Sequence, residues 1–182
     1  MKLKLTLIIA LTIFSTTVFS QAKKGSLLGI HFNLSDSKAP SGIKDPVSGN
    51  VYSTIPQMDK GLSLSYWKGL TSKIDLAVKL NGMFYGNIKS NNGNIQVGLE
   101  LEPTLNVRPF TDATKFAPFL TAGAGIGLYN KKIGGYIPAG LGIQVNFSSL
   151  TYIFVQTQYK FTLTENVAED NLFYSIGFAQ HF

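Results

Sequence analysis

The chain has no cysteine, two histidines and a single arginine. Without cysteine there is no disulfide framework and no lipid-modified cysteine of a lipoprotein, so stability must come from packing and backbone pairing. Fifteen of the sixteen basic residues are lysines, scattered along the chain. That excludes the arginine-rich patch that grips phosphate backbones, and nucleic acid is not an expected partner. Charge is also scarce, at 14% of the 182 residues, where a soluble domain usually carries about 25%. Yet mean hydropathy is positive, and beyond the first twenty residues no apolar run reaches the roughly 20 residues of a membrane-spanning helix. The apolar residues must be distributed in some other way.

The N-terminus does carry one apolar run. Lys2 and Lys4 precede Leu5 to Phe14, and small and polar residues follow, ending in Val18-Phe19-Ser20. This charged, apolar and small-residue order is that of a secretory signal peptide, with cleavage expected after Ser20. A retained helical anchor is the alternative, but ten apolar residues are too few to span. Residues 1–20 are expected to be removed, lowering the formal charge from +6 to +4. Residues 21–182 suit one domain.

Alternation dominates that domain. From Ile95 to Arg108, Ile95, Val97, Leu99, Leu101, Leu105 and Val107 share one face with Pro103, while Gln96, Gly98, Glu100, Glu102, Thr104, Asn106 and Arg108 share the other. A period of two is the strand signal, because successive side chains point to opposite faces. Ile74 to Phe84, Ile137 to Phe147, Ile153 to Leu163 and Leu172 to Phe182 repeat it; Leu28–Leu34, Leu62–Lys68 and Leu120–Leu128 are weaker versions. Eight strands are expected, at about 25–34, 60–69, 73–85, 94–108, 116–129, 135–147, 150–163 and 171–182. Pro103 lies inside the best of them and cannot donate a ladder hydrogen bond, which predicts a bulge or distortion there. Segments 35–59, 86–93, 130–134 and 164–170 are rich in loop-forming residues; 70–72, 109–115 and 148–149 are compact turns.

These features define an all-β fold, an eight-stranded antiparallel up-and-down transmembrane β-barrel. A soluble barrel shares the period-two pattern but packs its apolar face inward. Here one face is aliphatic along nearly whole strands and the other carries charges and amides, as in the inverted, lipid-facing case. Closure is then required, because an open sheet edge in lipid leaves backbone groups unpaired at several kcal/mol each. An even strand number puts both termini on one side, expected to be periplasmic with the short turns, and outer-membrane lipid is the surrounding partner. Aromatic girdles are expected from Tyr85, Tyr129, Tyr136, Phe161 and Tyr174 at the outer rim, and from Tyr66, Trp67, Phe110, Phe119, Phe147, Tyr152 and Phe182 at the periplasmic rim.

The chain's end, Tyr174-Ser175-Ile176-Gly177-Phe178-Ala179-Gln180-His181-Phe182, resembles the terminal strand of outer-membrane barrels. Pro118 to Tyr129 also looks like strands of the OmpA/OmpX-like, "porin family" small barrels. The resemblance implies a Gram-negative-type outer membrane. It also implies that the barrel-assembly machinery reads Tyr174, Ile176, Phe178 and Phe182 as a biogenesis signal. It says little about activity.

Glu100 and Glu102 point the same way, with Lys79 and Arg108 on the same side. A carboxylate pair can serve acid–base chemistry or an ion path. The favoured reading is a lumenal charge network of Lys79, Glu100, Glu102 and Arg108, because eight strands leave an interior only wide enough for side chains. His31 and His181 fall on neighbouring strands at different heights and lack a third ligand, so no metal site and no cofactor is expected. Lipid A deacylases of this fold share a His-x-Ser element, which His31-Phe32-Asn33 lacks. Gly123, Gly125 and Gly127 do not complete a nucleotide-loop fingerprint, since residue 128 is Leu; lumenal glycines instead make room for bulky side chains from opposite strands. Loop 35–59 is the expected binding element, presented to an external ligand by a rigid scaffold. The reading is a non-enzymatic outer-membrane barrel; a lipid A-modifying enzyme and a narrow small-solute channel are the alternatives.

Overall fold

The computed structural model describes residues 25–41, 53–85, 96–110, 114–148, 150–164, 167 and 169–182. The expected signal peptide 1–20, the expected loop 86–93 and residues 42–52 of the expected loop 35–59 lie outside the described residues. The strands are β1 (Ser26–Asp36), β2 (Asp59–Gly69), β3 (Ile74–Tyr85), β4 (Gln96–Val107), β5 (Phe116–Gly123), β6 (Gly125–Tyr129), β7 (Lys132–Asn146), β8 (Thr151–Thr162) and β9 (Asn171–His181). β5 and β6 are two halves of one stave, so the barrel has eight. Neighbouring staves pair antiparallel, and β9 closes onto β1, with registers running from Leu27 opposite His181 to Asp36 opposite Leu172.

Closure carries a stagger. Following paired residues around the wall leads from Ser26 through Lys68, Leu76, Leu105, Ala122, Ala139, Tyr159 and Leu172 back to Asp36, ten residues further along β1. This shift tilts every strand against the barrel axis and sets which inward side chains meet across the lumen. Both ends of the described chain lie at the rim that carries the β2–β3, β4–β5 and β7–β8 connections. This is the turn end; the opposite rim is the loop end.

The split at Ala124 has a simple cause. Pro103 lies opposite it, and the Ala124 N–H donates to the Pro103 carbonyl at 3.2 Å. Proline has no N–H to complete the pair. The flanking pairs Thr104–Gly123 and Leu101–Ile126 keep the same register, so of the bulge or distortion expected at Pro103 the structure shows a local distortion, in which one ladder bond is missing and no residue is inserted.

The expected loop at 130–134 is also different, because β6 and β7 join through two residues only. Asn130 and Lys131 both have positive φ, 46° and 66°. A two-residue hairpin with both centres in that region is a type I′ turn, whose twist matches its strands but which favours glycine at the second place. Lys131→Gly should therefore stabilise the barrel by about 0.5–1 kcal/mol, read as a raised urea midpoint for unfolding from lipid vesicles. An unchanged or lowered midpoint would refute this account of the turn.

Burial follows the alternation. Leu28, Ile30, Leu64, Leu80, Leu101, Ile126, Leu141, Val155 and Ile176 all lie exposed on the outer wall, while His31, Asn81, Lys79, Glu100, Glu102, Gln158 and Lys160 are buried inside. The aromatic girdles need correction. Tyr85, Tyr129, Tyr136, Trp67, Phe119 and Tyr152 are buried in the lumen, because strand parity turns them inward whatever their height. The outward rings include Tyr66, Phe110, Phe116, Phe147 and Phe182 at the turn end, and Phe84, Phe161 and Tyr174 towards the loop end.

Candidate functional site

The lumen is layered. At the turn end Trp67 stacks on Phe154 with ring centroids 4.3 Å apart, and Phe119 meets both edge-on at 6.0 and 6.2 Å. Leu27, Ala77, Tyr152 and Ala179 complete this apolar floor. Arg108 lies at the same end, paired with Asp75 and donating to Gln144 Oε1 at 2.7 Å.

Small polar groups fill the middle. Lys79 stands opposite Glu102 in the β3–β4 ladder, yet its ammonium crosses the lumen to donate to Gln156 Oε1 at 2.7 Å. His31 Nε2 and Ser65 Oγ are 2.7 Å apart, with Ser175 Oγ 3.3 Å from Nδ1. Among the described residues, the hydroxyls of Thr104 and Thr121 and both amide atoms of Gln158 are buried without a protein partner, a pattern that calls for water.

Towards the loop end, Lys160 Nζ sits 2.6 Å from Glu100 Oε2 and 3.3 Å from Glu102 Oε2. Three tyrosines surround the carboxylates. Tyr129 donates to Glu100 at 2.8 Å, Tyr136 reaches both acids at 3.2 and 3.1 Å, and Tyr85 donates to Glu100 as well. Asn81 adds an amide donor at 3.2 Å. The lysine also lies 3.8 Å from the centre of the Phe173 ring. A carboxylate accepting this many bonds, with its lysine counter-ion in contact, is a fixed structural charge. Met83, Tyr85, Tyr129 and Phe173 pack together around it.

Glu100 and Glu102 are thus brought together, but their partner is Lys160; Lys79 and Arg108 belong to other layers. Lys160 stands on the inward face of β8, and its parity was legible. Its height relative to Glu100 was not, because that depends on the stagger.

His31 and His181 do not meet. His181 binds Tyr152 OH at 3.0 Å and the Ser26 carbonyl at 3.2 Å near the turn end, whereas His31 pairs with Gly177, four residues away on β9. That offset is about 13 Å along a strand. No cluster of metal-ligating residues occurs among the described residues. The lumenal glycines do receive bulky groups, from their own or adjacent strands rather than opposite ones. A Cβ on Gly125 would fall 2.2 Å from the Tyr136 ring, and one on Gly177 would fall 2.2 Å from His31.

At the loop end, Asp36 ties down the first connection. Its Oδ1 accepts from Lys38 N at 3.0 Å, Ala39 N at 3.3 Å and Ser53 Oγ at 2.7 Å, and its Oδ2 accepts from Ser53 N at 2.9 Å. The two ends of loop 35–59 are joined at this carboxylate. Tyr174, Ile176 and Phe178 line the outer wall of β9, and Phe182 follows at the turn-end rim.

A closed eight-stave barrel with an aliphatic exterior and a charged, filled interior is a transmembrane barrel of the outer-membrane type. No family model matches the chain, and no curated protein sequence is a recognisable relative. Solved structures with this fold include Neisserial surface protein A, at TM-score 0.59 and 12% identity, covering 87% of this chain and 98% of that one. The N-terminal barrel domain of Pseudomonas aeruginosa OprF matches at TM-score 0.57 and 12% identity, covering 87% and 98%. Ail of Yersinia pestis, solved with the heparin analogue sucrose octasulfate, matches at 0.55 and 13%, covering 87% and 99%. These likenesses establish the small outer-membrane barrel fold.

Proposed function

We propose that this chain is a non-enzymatic integral outer-membrane barrel that presents its loop-end connections at the cell surface, with both termini in the periplasm. The observation that carries this reading is the Asp36 clamp above a lumen occupied by side chains at both ends. A rigid scaffold that fixes a loop's base reduces the ordering cost when the loop binds. The ion cluster and aromatic floor disfavour a standing pore. A lipid-modifying hydrolase is disfavoured too: His31 and Ser65 are buried in the lumen, away from lipid, and the second imidazole nitrogen meets Ser175 rather than an orienting carboxylate.

The cysteine-free chain allows a clean test. In whole cells, a membrane-impermeant maleimide should label Gln57→Cys at the loop end and spare Ser72→Cys in the β2–β3 turn. Labelling of Ser72→Cys alone would reverse the orientation, and a changed lipid A acyl pattern in a deletion strain would overturn the non-enzymatic reading.

A further inference from the structure

The outer wall is not uniform. Across β9, β1, β2 and β3 it is hollowed into a groove of about 900 Å3, lined by Leu28, Ile30, Leu64, Leu80, Phe178 and Phe182 among others. The groove starts at the turn-end rim, beside Thr151, Gln180 and Phe182. It ends at Leu64 and Leu80, a paired row near the middle of β2 and β3. It therefore occupies one leaflet's depth, half of a hydrocarbon core of about 30 Å.

Its rim is polar in a specific way. Ser26 Oγ and Tyr66 OH are 3.1 Å apart, and Lys68 Nζ lies 3.4 Å from the same Ser26 hydroxyl. Tyr66 also contributes to the groove wall, its ring 6.3 Å from that of Phe182. A cation and two hydroxyls thus converge where an apolar channel meets the interface. This is complementary to one molecule class: a phosphate attached to acyl chains. Lysines at a membrane surface attract anionic lipid, and a tyrosine with one wet end suits the headgroup boundary.

We infer that this face is a binding site for an anionic phospholipid of the turn-end leaflet, its phosphate held by Lys68, Tyr66 and Ser26 and an acyl chain lying over Leu28 and Ile30 towards Leu64. The inference rests on the membrane-barrel reading; the turn end's periplasmic orientation decides only which leaflet supplies the lipid.

Native mass spectrometry of the folded barrel released from nanodiscs of equal phosphatidylglycerol and phosphatidylcholine tests it. The unaltered protein should retain one lipid, with phosphatidylglycerol preferred. Lys68→Ala should lower that retention about fivefold, as expected for loss of one lysine–phosphate contact at a membrane surface. Ile30→Trp should also lower it, by filling the groove while leaving the polar rim intact. Lys73→Ala, in the turn beyond the groove, should change nothing. Heat-modifiable migration on a gel confirms that each variant is folded. Equal retention of both lipids, or equal retention by all variants, would overturn the site. Nanodiscs have no inside, so that failure would leave the orientation, tested by maleimide labelling, untouched.

Discussion

Lys160→Met is expected to destabilise the barrel by about 3–5 kcal/mol, the cost of removing one partner from a buried ion pair. Methionine replaces most of the lysine's length, so packing against Phe173 is largely kept and the loss is electrostatic. Glu100 and Glu102 would then face each other in a buried site with tyrosine hydroxyls and one amide as the remaining donors. The same variant carrying Glu100→Gln and Glu102→Gln should recover most of the loss, because neutral amides need no counter-ion. Urea unfolding from lipid vesicles measures both. The fluorescence of Trp67, the single tryptophan, reports on it from the lumenal stack with Phe154. A loss below about 1 kcal/mol for Lys160→Met, the scale of an exposed ion pair, would mean that the cluster is hydrated and weak.

Leu101→Arg should cost about 2–4 kcal/mol in lipid, the penalty for arginine near the bilayer midplane. Leu101 sits midway along β4, in a cross-strand aliphatic row with Ile30, Leu64, Leu80 and Ile126. It points outward and is 42% exposed. The substitution separates two opposite ideas about the barrel. In water an exposed leucine can become arginine with a change within about 0.5 kcal/mol; in hydrocarbon it cannot. A vesicle-reconstituted variant as stable as the parent would place this face outside the membrane core.

How far the fold could be read in advance differs between residues for physical reasons. Glu100, Glu102 and the outward leucines of β4 were legible, because a side chain's face depends only on its parity along a strand. Tyr85, Tyr129 and Tyr136 have the height of an outer girdle but the parity of the inward face, and parity decides which side of the wall a ring occupies. The β6–β7 hairpin was hidden by Lys131, since lysine is not a turn signal and its positive φ is set by the strands on either side. Asp36 and Ser53, seventeen residues apart, show no local pattern that would pair them.

Residue order alone therefore determined the eight staves, their two chemically opposite faces and the need for closure in lipid, because all of these follow from period-two alternation and the cost of an unpaired edge. It could not determine which inward groups meet. Lys160 is on β8 and Glu100 on β4, with two staves between them, and they are joined by a stagger accumulated over the whole circumference. A stagger of ten is a property of the closed wall, and no single strand contains it.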